Sequence, residues 1–149
     1  MANWNLRPAA PADVEPLAEL RAVVMRPDLE RLGRYDPHRV RQRFRDGFDP
    51  SHTWIIEVGG GFAGCVALRP APEAHWLEHF YLAPQLQGTG IGTAVLRHLL
   101  DRSEEPGLPI RLNVLQGSPA RRLYERHGFR PETEDPVDVF MVRDPGPLP

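Results

Sequence analysis

Apolar residues recur at helical spacing from about Ala12 to Met25, where Val14, Leu17, Ala18, Val24 and Met25 share one stripe. Pro16 falls in the first turn, where proline is tolerated, and Pro27 is expected to end the helix. Ahead of it, Asn5 to Pro8 reads as a short strand, while residues 28–35 carry no decisive period. Asp36-Pro37 reads as a second helix start, with Asp as N-cap and Pro in the first helical position. Val40, Phe44 and Phe48 give that helix its stripe, and Gly47 its stop. The period then changes. His52 to Val58 is rich in β-formers, Gly59-Gly60-Gly61 is a turn, and Phe62 to Arg69 is the partner strand of a hairpin. After a loop over Pro70 to Ala74, His75 to Leu82 is a third long strand. Gly88 to Gly92 opens a helix to about Arg102, with Ile91, Val95, Leu96, Leu99 and Leu100 apolar, and Glu105 to Pro109 breaks it. Ile110 to Leu115 is a strand, and Ser118-Pro119 starts a helix that ends at Gly128. Phe129 to Glu132 and Val137 to Arg143 make two final strands.

The order is therefore β-α-α-β-β-β-α-β-α-β-β. Antiparallel hairpins precede a strand-helix-strand crossover, so the expected class is α/β with a mixed sheet covered by helices. The 149 residues suit one domain, here residues 1–143, with 144–149 as a frayed tail. At that length roughly 70% of the unfolded surface can be buried. A net charge of -2 argues against a nucleic-acid or membrane-surface binder. No stretch approaches the roughly 20 apolar residues that span a bilayer, and MANWNLRPAAPADVEPL lacks the pattern of a signal peptide. A cytoplasmic setting is expected. Cys65 stands alone and reads as a small buried hydrophobe, and the six histidines lack metal-ligand spacing, so no metal is expected. All 18 basic residues are Arg, which reads as coding bias; the chain cannot acetylate a lysine of its own.

Candidate chemistry concentrates in LAPQLQGTGIGTAVL, residues 82–96. A strand runs into a short loop with three alternate glycines and then a helix. Glycines allow close backbone approach, and a helix start presents unpaired N–H groups and about half a positive charge. Together they form an anion cradle suited to phosphate or diphosphate. A nucleoside-triphosphate loop needs Gly-Lys-Ser/Thr, which a chain without lysine cannot supply. The dinucleotide fingerprint needs different spacing, on the first strand of its unit.

QLQGTGIG followed by an amphipathic helix resembles the acyl-CoA motif of the GNAT N-acetyltransferase superfamily, Gln/Arg-x-x-Gly-x-Gly/Ala, with Gln85, Gly88 and Gly90 filling the pattern. LNVLQGSPARRLYERHGF, residues 112–129, is similar to the strand and helix that follow it, and LRPAAPADVEPLAEL is typical of the opening. Ser118 departs from the usual Asn, and Pro84 removes one N–H beside the cradle.

The resemblance implies a mixed sheet of six to seven strands with about four helices, in which the strand ending at Leu82 and the strand Ile110 to Leu115 run parallel and splay apart. Acetyl-CoA would be the co-substrate, its pantetheine arm lying in the gap and its diphosphate on amides of Gln87, Gly88, Thr89, Gly90, Ile91, Gly92 and Thr93. Tyr81, Leu82, Asn113, Ser118 and Tyr124 complete the implied cofactor-binding set. The Leu82 N–H would face the thioester carbonyl. Glu78, four residues earlier, would take the proton of an amine, with His79 and His75 as rivals. Strand alternation puts His79 on the opposite face from Glu78 unless a bulge intervenes. Tyr124 would hydrogen-bond the leaving sulfur. The acceptor, a small-molecule amine or a peptide, would sit among residues 26–36 and 133–137, and a homodimer is frequent among relatives. Two further readings stand beside this one: a protein N-terminal or side-chain acetyltransferase, and a non-catalytic acyl-CoA-binding or regulatory module. The arginines of residues 31–45 read as a solvated helix face, with attraction of an acidic substrate as the alternative.

Overall fold

The computed structural model describes residues 3–102 and 107–145. A sheet of seven strands forms the centre: β1 (Trp4–Pro8), β2 (Thr53–Val58), β3 (Gly61–Pro70), β4 (His75–Leu82), β5 (Ile110–Leu115), β6 (Arg130–Glu134) and β7 (Asp138–Arg143). Their spatial order is β1-β2-β3-β4-β5-β7-β6. Every neighbouring pair is antiparallel except β4 and β5. The helices are α1 (Val14–Arg31), α2 (Pro37–Gly47), α3 (Ile91–Asp101) and α4 (Ala120–Arg126). The order along the chain is the one the hydrophobic pattern predicts. The breaker expected at Glu105 to Pro109 and the tail expected at 144–149 fall partly outside the described residues.

Two apolar layers sandwich the sheet. Leu17 and Ala18 of α1 and Phe44 of α2 pack on Ile55 and Cys65. Ile56 and Val66, the next residues of the same strands, join Val95, Leu96 and Tyr124 on the other face. Ile55 and Ile56 are both fully buried, so β2 is apolar on both faces and its sequence shows no alternation. Removing a ring as enclosed as that of Phe44 costs about 3–5 kcal/mol in comparable cores.

Helix α1 corrects the expected boundary. It continues through Pro27 to Arg31. Proline denies the helix one hydrogen bond, the one its N–H would give to the carbonyl of Val23. Val23 is 54% exposed, so water can serve that carbonyl. The helix stops instead where Leu32 N–H bonds to Asp28 O and the Arg34 N–H bonds to Leu29 O. Its buried side is Leu17, Ala18, Leu20 and Ala22, whereas Val24 and Met25 line a cavity instead of the core. Helix α2 starts as expected: Asp36 Oδ1 accepts from the N–H groups of His38 and Arg39, both at 2.9 Å. The sixth strand lies later than Phe129 to Glu132; Phe129 itself is a core residue packed edge-on against Tyr124.

Candidate functional site

The parallel pair β4–β5 is joined only at its start, through His75 with Ile110 and Trp76 with Arg111. Beyond Trp76 the strands diverge. The gap opens into a cavity of about 920 Å³ that reaches both faces of the sheet, from Tyr124 on α4 to Val40 on α2. Among the expected site residues, Glu78, Tyr81, Asn113, Ser118 and Tyr124 line it.

Leu82 and residues 87–93 are outside the cavity wall, on the adjoining end of β4, the loop that follows and the first turn of α3. Ala83 N–H bonds to Ala63 O on β3 at 2.8 Å. Backbone direction alternates along a strand, so the Leu82 N–H points away from β3, toward the gap. The Gln87 amide donates to Leu82 O at 3.1 Å and ties the loop to the strand end. Gly88 and Gly90 hold φ of 76° and 90°, the left-handed region that a side chain disfavours. Gly90 caps α3 without a side-chain hydrogen bond. No acceptor among the described residues takes the N–H groups of residues 88–93. These donors are free for an anion.

Glu78 is ion-paired. Arg69 on β3 donates through Nε to Oε2 at 3.2 Å and through Nη2 to Oε1 at 3.1 Å. The pair is partly open to solvent on both sides. His79 sits in a bulge: its φ is 49°, and the β3–β4 register slips between Cys65 and Ala67. The alternation expected for β4 therefore fails at this residue, and Glu78, His79, Phe80 and Tyr81 all reach the cavity wall. The His79 ring packs edge-on against Phe44, with centroids 4.9 Å apart, and burial holds its pKa below the ordinary histidine value. The other histidine candidate, His75, is buried at the closed start of the strand and lines no part of the cavity.

Tyr81 has its hydroxyl taken by Arg21, whose Nε–H donates at 3.0 Å; Arg21 also donates to the carbonyl of Val40. Strand β4 is thereby tied to α1 and α2. Tyr124 is 8% exposed, and burial raises its pKa above the usual phenol value. Its hydroxyl has no hydrogen-bond partner among the described residues. Ser118 Oγ accepts from Ala120 N–H at 3.2 Å, which opens α4 as a cap does. Cys65 is fully buried, donates to the carbonyl of His79 at 3.1 Å, and has its thiol pushed up to about 12 by desolvation.

Sequence reasoning missed three elements of this site. Arg69 pairs with Glu78 across two strands, and only β3–β4 register brings them together. Arg21 reaches the site from a helix read only for its apolar stripe. The solvated face expected for the arginines of residues 31–45 is broken by Arg39 and Arg43, which line the cavity, as the less favoured alternative for that series requires. The segments expected around an acceptor are on the wall, through Asp28, Leu29 and Arg34 on one side and Asp135, Pro136 and Val137 on the other.

A mixed sheet split between parallel neighbours, with a free N–H loop at the split, defines an acyltransferase architecture. The family model described as Acetyltransferase (GNAT) family matches residues 12–129, and the chain belongs to this family. It is 32% identical over 109 residues to the amino-acid acetyltransferase of Neisseria meningitidis, a match that covers 72% of this chain and 24% of that protein. The chain thus spans about a quarter of the curated relative's length. Among solved structures, the PaiA N-acetyltransferase of Thermoplasma acidophilum, in complex with coenzyme A, superposes with a TM-score of 0.76 at 19% identity, covering 95% of this chain and 99% of that one. The ribosomal-protein-S18-alanine N-acetyltransferase of Escherichia coli gives 0.75 at 17%, covering 99% and 97%. These likenesses show the fold. Among the described residues no helix is long and apolar enough to cross a membrane.

Proposed function

We propose that the chain transfers an acetyl group from acetyl-CoA to an amine by direct attack within a ternary complex. The observation that carries this reading is the β4–β5 split lying beside a loop whose N–H groups have no internal acceptor. The amine nitrogen bonds to the carbonyl carbon as the carbon–sulfur bond breaks, and the proton that the nitrogen then sheds passes to the departing sulfur, directly or through water; the products are an amide and the free thiol of coenzyme A.

The residues divide the work as follows. Amides of residues 88–93 hold the diphosphate, the Gln87 N–H expected among them being spent on Pro84 O at 3.2 Å, and the unpaired edges of β4 and β5 flank the pantetheine arm as neighbouring strands would. Asn113 and Ser118 face the same gap from β5 and its exit. The Leu82 N–H stabilises charge on the thioester oxygen, a donor worth ~3 kcal/mol in comparable sites. An alkyl ammonium, with a pKa near ~10, must lose a proton before attack. Glu78 accepts it, directly or through a water. Tyr124 donates a hydrogen bond to the departing sulfur. With ordinary pKa values, full proton transfer from a phenol to a thiolate is already uphill by ~2 kcal/mol. Burial makes the Tyr124 hydroxyl weaker still, so it shares its proton without giving it up.

By their names, one relative acetylates amino acids and one structural neighbour an alanine of ribosomal protein S18. The ion pair that occupies Glu78 favours a second reading, a module that binds acyl-CoA without turnover. One experiment separates them: release of coenzyme A thiol from acetyl-CoA across a panel of amines. Amine-dependent release supports the transferase, and tight coenzyme A binding with no release supports the module.

A further inference from the structure

We propose that Arg39 and Arg43 select an acceptor whose amine is accompanied by a carboxylate. The inference rests on the transferase reading and deepens it. The four α2 arginines form two i,i+4 pairs with different surroundings. Arg41 grips Glu19 at 2.7 and 3.1 Å, and Arg45 grips Glu15 at 2.9 and 3.0 Å; both glutamates belong to α1. Those two arginines fasten the helix pair together. Arg39 and Arg43 lie on the cavity wall, and neither has an ion-pair partner among the described residues.

Two like charges one helical turn apart repel when nothing lies between them. Of the other charges of the wall, Asp28 pairs with Arg31 at 3.0 Å, and Asp138, on β7 across the cavity from α2, has no ion-pair partner among the described residues. Arg69 holds Glu78, Arg34 lies in the field of Asp135, and Arg21 holds Tyr81 and the Val40 carbonyl. Asp36, the nearest acid in sequence, spends its Oδ1 on the N–H groups of His38 and Arg39; the Arg39 side chain lies in its field without forming an ion pair, and Arg43 has no such neighbour. The uncommitted charge of this wall is therefore positive on the α2 side. Guanidinium groups match a carboxylate by paired N–H donors. A polycationic amine meets repulsion at the same place, which disfavours polyamines and aminoglycosides as acceptors.

The test measures kcat/KM for coenzyme A release with glutamate and glycine, each beside its neutral amide, and with putrescine. The expected result is a preference of at least about tenfold for each acid over its amide, with putrescine poorest, because an amide leaves the guanidiniums unpaired. In Arg39→Gln/Arg43→Gln the acid-to-amide ratio falls toward one, whereas Arg41→Gln, on the α1-facing side, keeps it. A ratio of one in the native chain, or an unchanged ratio in the double variant, overturns the proposal while leaving the transferase reading intact. If no amine is acetylated, the transferase reading fails. Calorimetric binding of glutamate and its diamide to the chain loaded with coenzyme A then decides this proposal: acid-selective binding lost in the double variant upholds it, and unselective binding or none refutes it. Circular-dichroism melting confirms that each variant is folded.

Discussion

Arg69 and Glu78 meet across the β3–β4 ladder in a two-point ion pair, at 3.1 and 3.2 Å, on the wall of the cavity where β4 parts from β5. The arrangement fixes the direction of the one carboxylate that β4 brings to the gap. It also means that a proton accepted there is taken by a carboxylate with a cation already beside it.

Replacing Glu78 by Gln keeps the shape and removes the proton acceptor. General-base removal typically costs 10²–10⁴ in rate, so kcat is expected to fall by at least about a hundredfold while the affinity for coenzyme A stays within about twofold. Stopped-flow thiol release and calorimetry check both halves. Native-like turnover in this variant removes Glu78 from the chemistry and leaves a water relay, or the bulged His79, as the base.

The cradle is tested at Gly90. Its φ of 90° penalises any side chain, while the space beyond its Cβ position is open. Gly90→Ala adds strain alone, at about 1–2 kcal/mol. Gly90→Glu adds the same strain and a negative charge beside the diphosphate. Coenzyme A binding is expected to weaken modestly in the first and to vanish in the second. Equal affinities in the two variants would show that the loop does not hold the diphosphate.

Tyr124→Phe removes one hydroxyl and leaves the edge-on packing with Phe129, whose ring lies 5.8 Å away between centroids. Turnover is expected to drop about tenfold or more, with coenzyme A affinity and melting temperature little changed. A drop in melting temperature without loss of turnover would assign the residue to the core alone.

The buried thiol predicts an alkaline limit to stability. In the unfolded chain Cys65 ionises near ~8.5, but in the folded chain only near about 12. Below the lower value both states keep the proton and the stabilisation is complete. Between the two, only the unfolded chain releases it, so stability falls as pH rises. Urea midpoints measured from pH 8 to 11 are expected to decline, and less steeply in Cys65→Ala. The native thiol should also resist a thiol-specific reagent at pH 8 until denaturant is added. Rapid labelling of the folded chain would contradict the burial.

The order of strands and helices was legible in the chain because each element announces itself locally, through Asp36-Pro37, the Gly59–Gly61 turn and the glycines before α3. The run of N–H groups without an internal acceptor was legible for the same reason, since a helix start carries its donors wherever it lies. Pro27 misled because a local rule was outweighed: the hydrogen bond it removes falls on Val23, at an exposed position of the helix. Which arginines face the cavity was hidden, since Arg39, Arg41, Arg43 and Arg45 are one alternating series until α1 supplies Glu15 and Glu19 to two of them. The bulge at His79 and the parting of β4 from β5 were decided by strand pairing across the sheet. Such pairing depends on neighbours far away in sequence, and no window of residues contains it.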